Sequence, residues 1–307
     1  MSLIVSPSPH IHSKTTTQVI MRDVCIALMP ALVASVKIFG PRSLLVTFAC
    51  VVAAVAGEYI FEKLSHRPVT VSDFSAVVTG LLLAYNLSVT IPLWQAVLGS
   101  LVAIVLVKQI FGGLGRNFAN PAIVGRIVLF LSFSKTMTMW QFPDAVSTAT
   151  PLALMGSGDM SSLPSLKAMF LGMKGGCIGE VCTLALLIGF VYLLVRGVIT
   201  WHTPVVFIGT VFLLSFAFSG DPTYALYQIL SGGLMLGAIF MATDYVTTPQ
   251  TTAGRVIFGL GCGLLTFMIR QYGSYAEGVS FAILFMNILT PYITKWTRHK
   301  PLGGVKA

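Results

Sequence analysis

Residues 43–57 read Ser-Leu-Leu-Val-Thr-Phe-Ala-Cys-Val-Val-Ala-Ala-Val-Ala-Gly, fifteen positions without a charge. Carried on to Glu62, the stretch has the length that an α-helix needs to cross a hydrocarbon core of about 30 Å. Nine other apolar segments resemble it: 20–39, 73–90, 91–110, 120–135, 175–195, 202–219, 226–243, 251–269 and 276–295. Two of the ten are short and disturbed. Segment 73–90 contains Gly80 and Asn86 and runs into Pro92, and segment 120–135 opens on Asn120-Pro121, a helix-start signal. The spans predict an all-α polytopic membrane protein with about ten transmembrane helices.

The bulk composition agrees. Only 9% of the 307 residues are charged and 55% are hydrophobic, against roughly 25% charged in soluble domains. The mean hydropathy is +0.87. The formal charge of +9 does not point to nucleic acid, because Lys and Arg accumulate on the cytoplasmic side of membrane proteins. With the N-terminus placed in the cytoplasm, thirteen of the nineteen basic residues fall on that side. Both termini are therefore predicted to be cytoplasmic. The chain divides into a tail (1–19), spans one to five (20–135), an outer loop (136–174), spans six to ten (175–295) and a second tail (296–307). Ser6–Lys14 is polar and holds two prolines and two histidines, so the first apolar segment is expected to remain as a span rather than act as a signal peptide. The five cysteines show no CxxC spacing, which implies neither a zinc site nor a disulfide framework.

A shift of 157 positions lays Asp23-Val24-Cys25 on Glu180-Val181-Cys182, Gly40 on Gly197, Gly80 on Gly237, and Thr90 and Pro92 on Thr247 and Pro249. Five spans per copy is an odd number, so the copies would be inverted. Inverted repeats place a site near the midplane at discontinuous helices, here the third and eighth segments. Ionisable residues in or beside spans are costly and mark ion or proton paths. The candidates are Asp23, Glu58, Glu180, Asp244 and Glu277, each also readable as an interfacial residue. Asp73 and Asp221 read as helix caps. Leu163, Leu166, Phe170 and Met173 recur at helical spacing and predict a short amphipathic helix in the outer loop.

Two loops carry possible cofactor chemistry. In the first, 112–122, Gly-Gly-Leu-Gly-Arg-Asn-Phe-Ala-Asn-Pro-Ala combines glycines, which let backbone approach a ligand, with the amides of Asn117 and Asn120. It is equally a tight turn between spans. In the outer loop, Asp144-Ala-Val-Ser147-Thr148-Ala149-Thr150-Pro151 reads alone as a turn or helix cap.

With these two motifs the chain resembles the RnfD family of membrane subunits, found in the Rnf ion-translocating oxidoreductase. More distantly it is similar to NqrB of the sodium-pumping NADH:quinone reductase. The resemblance runs from about residue 15 to 297, and its most specific part is Asp144–Thr150. It implies FMN esterified to Thr150 by an exported flavin transferase, with Asp144, Ser147 and Thr148 completing the motif. It also implies a second, non-covalent flavin, riboflavin, with Asn117 and Asn120 as candidate contacts. The implied function is an electron-relaying subunit that catalyses no complete reaction alone. Its complex would move electrons between ferredoxin and NAD with coupled Na⁺ or H⁺ translocation, in a bacterial or archaeal cytoplasmic membrane. Partner subunits would supply the iron–sulfur clusters and further flavins, since this chain has no ferredoxin-like cysteine cluster and no nicotinamide fold. Two alternatives stand beside this reading. One is the quinone-reductase subunit, disfavoured by only about 20 residues before the first span. The other is a non-redox channel or transporter built on the inverted repeat.

Overall fold

In the computed structural model, which describes residues 15–140, 150–156, 162–273 and 277–298, the stretch quoted first is helix α2 (Pro41–Leu64). Its buried face is small and polar: Ser43, Thr47, Cys50, Ala53, Ala54, Gly57 and Glu58. Phe48, Val52 and Ile60 are exposed. Helix α1 (Thr17–Phe39) repeats the pattern, with Asp23, Ala27, Ala31 and Ser35 inside and Ile26 and Val33 outside. Large apolar side chains face outward because the surrounding solvent is lipid, and small residues let helix backbones approach. A Cβ added to Gly80 would come within 2.8 Å of the Val51 backbone, so that position holds two helices at backbone contact.

The remaining helices follow in chain order. They are α3 (Ser75–Tyr85), α4 (Leu93–Gln109), α5 (Pro121–Ser132), α6 (Ser134–Met137), α7 (Pro151–Gly156), α8 (Leu166–Leu171), α9 (Thr183–Val195), α10 (His202–Ser219), α11 (Pro222–Leu230), α12 (Leu234–Met241), α13 (Thr252–Tyr272) and α14 (Val279–Thr297). There is no strand among the described residues. Among the described residues four helices are long and apolar enough to cross a membrane (α1, α2, α10 and α13), and α11 with α12, bent by 69° between them, makes a fifth when the pair is counted as one span. Of the shorter apolar helices α3, α4, α5 and α9, α3 is buried along most of its length, whereas α4 and α9 expose one apolar face. Sequence-read features recur locally. Asp73 caps α3 through the Ser75 amide at 2.7 Å, and Asp221 caps α11 through the Thr223 amide at 2.8 Å. Asn120 caps α5 through the Ala122 amide at 3.0 Å, and α8 lies within the amphipathic stretch Leu163–Met173.

The packing of the two halves corresponds. α2 packs on α3 and α4 as α10 packs on α12 and α13, and α4 meets α5 as α13 meets α14. Equivalent helices touch across the halves, α1 on α9 and α5 on α14. Gly40 and Gly197, matched by the shift, both have positive φ (78° and 67°) just past the ends of α1 and α9. A left-handed residue there terminates a helix at no Cβ cost.

Two segments are broken where the sequence places discontinuous helices, the third and the eighth, and the sixth departs from the span reading. The third is helical only to Tyr85. Asn86–Pro92 is irregular, and Gly80 sits inside the helix rather than breaking it. The eighth is two helices with Ser231-Gly232-Gly233 between them. The sixth becomes helical only at Thr183, and residues 174–182 enter the interior without helix. There the Ile178 amide donates to the Leu87 carbonyl at 2.9 Å, and the Gly179 amide to the Tyr85 carbonyl at 3.0 Å. Arg42 Nε donates to the Val89 carbonyl at 2.9 Å. Irregular backbone at membrane depth survives only where protein satisfies it, and these bonds do so.

Candidate functional site

The ends of the broken helices carry two polar regions. One lies on the side of Thr150 and the other on the side of the chain termini.

On the Thr150 side, the Arg126 guanidinium of α5 forms an ion pair with Glu277. It also donates to Ser280 Oγ at 2.7 Å and to Asn86 Oδ1 at 3.2 Å. Glu180 Oε1 accepts the Cys177 amide at 3.0 Å, while Oε2 has no hydrogen-bond partner. Lys174 Nζ donates to the Leu230 carbonyl. Arg270 donates to the Gln228 carbonyl at 2.6 Å and the Ser231 carbonyl at 3.0 Å. Arg126, Lys174 and Glu180 are all buried. Three cations thus stand against two carboxylates. The ligand atoms of Cys177, Glu180 and Glu277 lie within 4.8 Å of one another, but Arg126 already occupies Glu277, and the excess of positive charge opposes a further cation. The site suits a negative charge better.

Helix α7 rests on this region. Thr150 begins it, with its Oγ1 accepting the Ala153 amide at 3.3 Å and its carbonyl accepting the Leu154 amide at 3.0 Å. Leu152 and Met155 are buried. Met155 Sδ accepts from Ser231 Oγ at 3.9 Å, so the helix sits over the bend between α11 and α12. Asp144, Ser147 and Thr148 lie outside the described residues.

The termini side holds a cavity between the helices. Leu82, Val78, Leu193, Ile199 and Phe240 give it apolar walls, and Asn117, Asn120, Ser75, Lys108 and Asp244 supply polar groups. Asn117 and Asn120, far from the Thr150 motif in the sequence, meet here. Both amides also serve the fold. Asn117 Nδ2 donates to the Ala119 carbonyl at 3.0 Å, and Asn120 Nδ2 to the Met241 carbonyl at 3.4 Å. Gly112, Gly113 and Gly115 all have positive φ, as a tight turn requires. Asp244 accepts from Thr247 Oγ1 at 3.1 Å. Asp23 is paired with Arg196 at 2.9 Å and accepts from Tyr192 at 3.2 Å. Glu58 is paired with Lys108 at 2.6 Å.

The five acids singled out in the sequence therefore divide. Glu180 and Glu277 share the Thr150-side cluster. Asp244 and, through Lys108, Glu58 belong to the cavity, and Asp23 stands by its own pair. The buried cations Lys108, Arg126 and Lys174 were not singled out as site residues. Each lies in or next to an apolar run, and that is the signal that could have found them.

These features define a polytopic α-helical membrane protein with two broken helices, a charged cluster and an intramembrane cavity. A family model described as NQR2, RnfD, RnfE matches residues 4–303, and the chain belongs to that family. It is 46% identical over 311 residues to the D polypeptide of the Na(+)-translocating ferredoxin:NAD(+) oxidoreductase complex of Acetobacterium woodii, covering 100% of this chain and 97% of that one. It is 43% identical to the D polypeptide of the proton-translocating ferredoxin:NAD(+) oxidoreductase complex of Clostridium ljungdahlii, covering 97% and 96%. To the D polypeptide of the ion-translocating oxidoreductase complex of Citrobacter koseri it is 35% identical, covering 97% and 98%.

Proposed function

We propose that this chain is the flavin-bearing RnfD membrane subunit of an Rnf-type complex, relaying electrons within an assembly that couples ferredoxin and NAD to Na⁺ or H⁺ translocation. Thr150 carries FMN through a phosphoester, with Asp144, Ser147 and Thr148 in the recognition motif. A flavin transferase attaches it, and neighbouring subunits supply iron–sulfur clusters and further flavins. A bound flavin supplies one- and two-electron redox chemistry. The chain's own contribution is to seat it and set its electrostatics.

The observation that carries this reading is the Asp144–Thr150 motif in a chain of this family, with Thr150 opening a helix seated beside the cationic cluster. An excess of buried positive charge under the attachment residue suits a phosphodiester or a reduced flavin. The termini-side cavity, apolar with a few convergent polar groups, suits a second, non-covalent riboflavin near Asn117 and Asn120. Both termini face the cytoplasm and Thr150 the opposite side. Setting aside the buried Lys108, Arg126 and Lys174 leaves the basic residues 11 against 5 in favour of that orientation.

The test is a denaturing gel of the purified chain under ultraviolet light, which reads covalent flavin as a fluorescent band. Thr150→Ala loses the band and Thr148→Ala keeps it. A band retained in Thr150→Ala overturns the assignment. A second reading, ion passage through this subunit past Asp23, Glu58, Glu180, Asp244 and Glu277, is favoured by polar regions on both sides of the broken helices. Amide replacements at these five, with ion transport measured in the assembled complex, test it. Transport unchanged by every replacement places the path elsewhere.

A further inference from the structure

Lys108 is buried and lines the termini-side cavity together with Ser75. It lies in the π-helical segment Val102–Gln109 at the end of α4, and π-helical turns within α-helices are frequent at functional sites. Its ammonium donates to Glu58 Oε1 at 2.6 Å and to Ser75 Oγ at 2.5 Å. An ammonium has three N–H groups, so one remains for the cavity.

Glu58 is fully buried behind Lys108 and does not line the cavity. Its Oε1 takes a second bond from Gln109 Nε2 at 2.7 Å, while Oε2 has no hydrogen-bond partner. Gln109 also donates to Glu62 at 3.2 Å, and Asp73 accepts from Ser75. Lys108 is therefore the cation that stands between a group of carboxylates and the cavity. Asp244 also lines the cavity. An ion pair buried only to join two helices gains little over apolar packing. One whose lysine keeps an unspent donor at an apolar cavity is built for an occupant.

We infer that Lys108 is the ligand-facing charge of this cavity and that Glu58 is its positioning counter-ion, together setting how readily a planar heteroaromatic occupant accepts negative charge. The occupant would place an acceptor edge at Lys108 and its apolar faces against Leu82 and Phe240. This rests on the second-flavin reading above. It predicts opposite signs for the two partners. Loss of the lysine charge leaves carboxylates facing the occupant and makes it harder to reduce. Loss of the Glu58 charge leaves the lysine uncompensated and makes it easier to reduce.

The test uses the full chain in lipid nanodiscs, on a Thr150→Ala background so that no covalent flavin interferes, with riboflavin as the probe. Fluorescence quenching gives affinity and spectroelectrochemical titration gives the midpoint potential. Lys108→Met weakens binding by about tenfold or more, the loss of one charge-assisted hydrogen bond, and lowers the potential. Lys108→Arg retains most of both, and Glu58→Gln raises the potential. If Lys108→Met does not fold, Lys108→Met combined with Glu58→Gln buries no unpaired charge and still shows the weakened binding. Absence of riboflavin binding in the parent overturns the second-flavin reading and this proposal with it. Normal binding in the parent with unchanged affinity in the lysine variants, or shifts of the same sign for Lys108→Met and Glu58→Gln, overturns this proposal alone.

Discussion

The Thr150-side cluster and the termini-side cavity flank the same broken helices, yet they handle charge in opposite ways. In the cluster, Arg126 and Glu277 hold each other, Lys174 and Arg270 are tied to backbone carbonyls, and Glu180 accepts a backbone amide. In the cavity, Lys108 and Asp244 both line open space. The first arrangement fixes a local field and the second leaves room for an occupant. Sequence symmetry therefore does not carry over to chemical symmetry. Asp23 and Glu180 coincide under the 157-residue shift, but Asp23 pairs with a half-exposed Arg196 whereas Glu180 is buried among cations.

This contrast can be broken at several points. The largest effect is expected for Arg126→Leu, which strands Glu277 without its partner and should cost about 3–5 kcal/mol, read as resistance to denaturant in detergent. Adding Glu277→Gln should recover part of that loss, and failure to recover would mean that the pair is not the source. Gly179→Ala should come next. Its new methyl overlaps the buried Tyr85 ring, and overpacking costs about 1–3 kcal/mol, visible in the same assay. Asp244→Asn should leave stability nearly unchanged while altering riboflavin affinity measured by fluorescence quenching. The reverse outcome would make Asp244 a structural residue. Smallest of all is Asp23→Asn, whose partner keeps much of its hydration. Its unfolding midpoint should stay close to that of the parent, while Glu180→Gln moves it clearly. Equal shifts would restore the symmetry that the environments deny.

Much of the architecture is legible in the sequence because lipid imposes one demand, a long run of residues without charge, and α2 meets it plainly. The breaks at Asn86 and Pro92 are legible through helix-stopping chemistry. The entry of residues 174–182 is not. Gly-Gly-Cys-Ile-Gly is as apolar as a helix, and hydropathy does not separate a span from an extended chain whose amides are taken by another segment. The site divides in the same way. Asn117 and Asn120 stand out through their glycine-rich surroundings and do line a cavity. Lys108 looks like the ordinary end of an apolar run and Arg126 interrupts one, and their three-dimensional partners, Glu58 and Glu277, show both to be buried, paired charges.

The pairing of Ile178 and Gly179 with Leu87 and Tyr85 also sets a schedule. Those two carbonyls reach the membrane early in synthesis, and their partners follow roughly ninety residues later. At about 5–20 residues per second, the first half waits on the order of 5–20 s with its central break uncovered. A nascent chain stopped before Ile178 should therefore be open to quality-control proteases at Asn86–Pro92, and that exposure should end once residues 178–179 have entered the membrane.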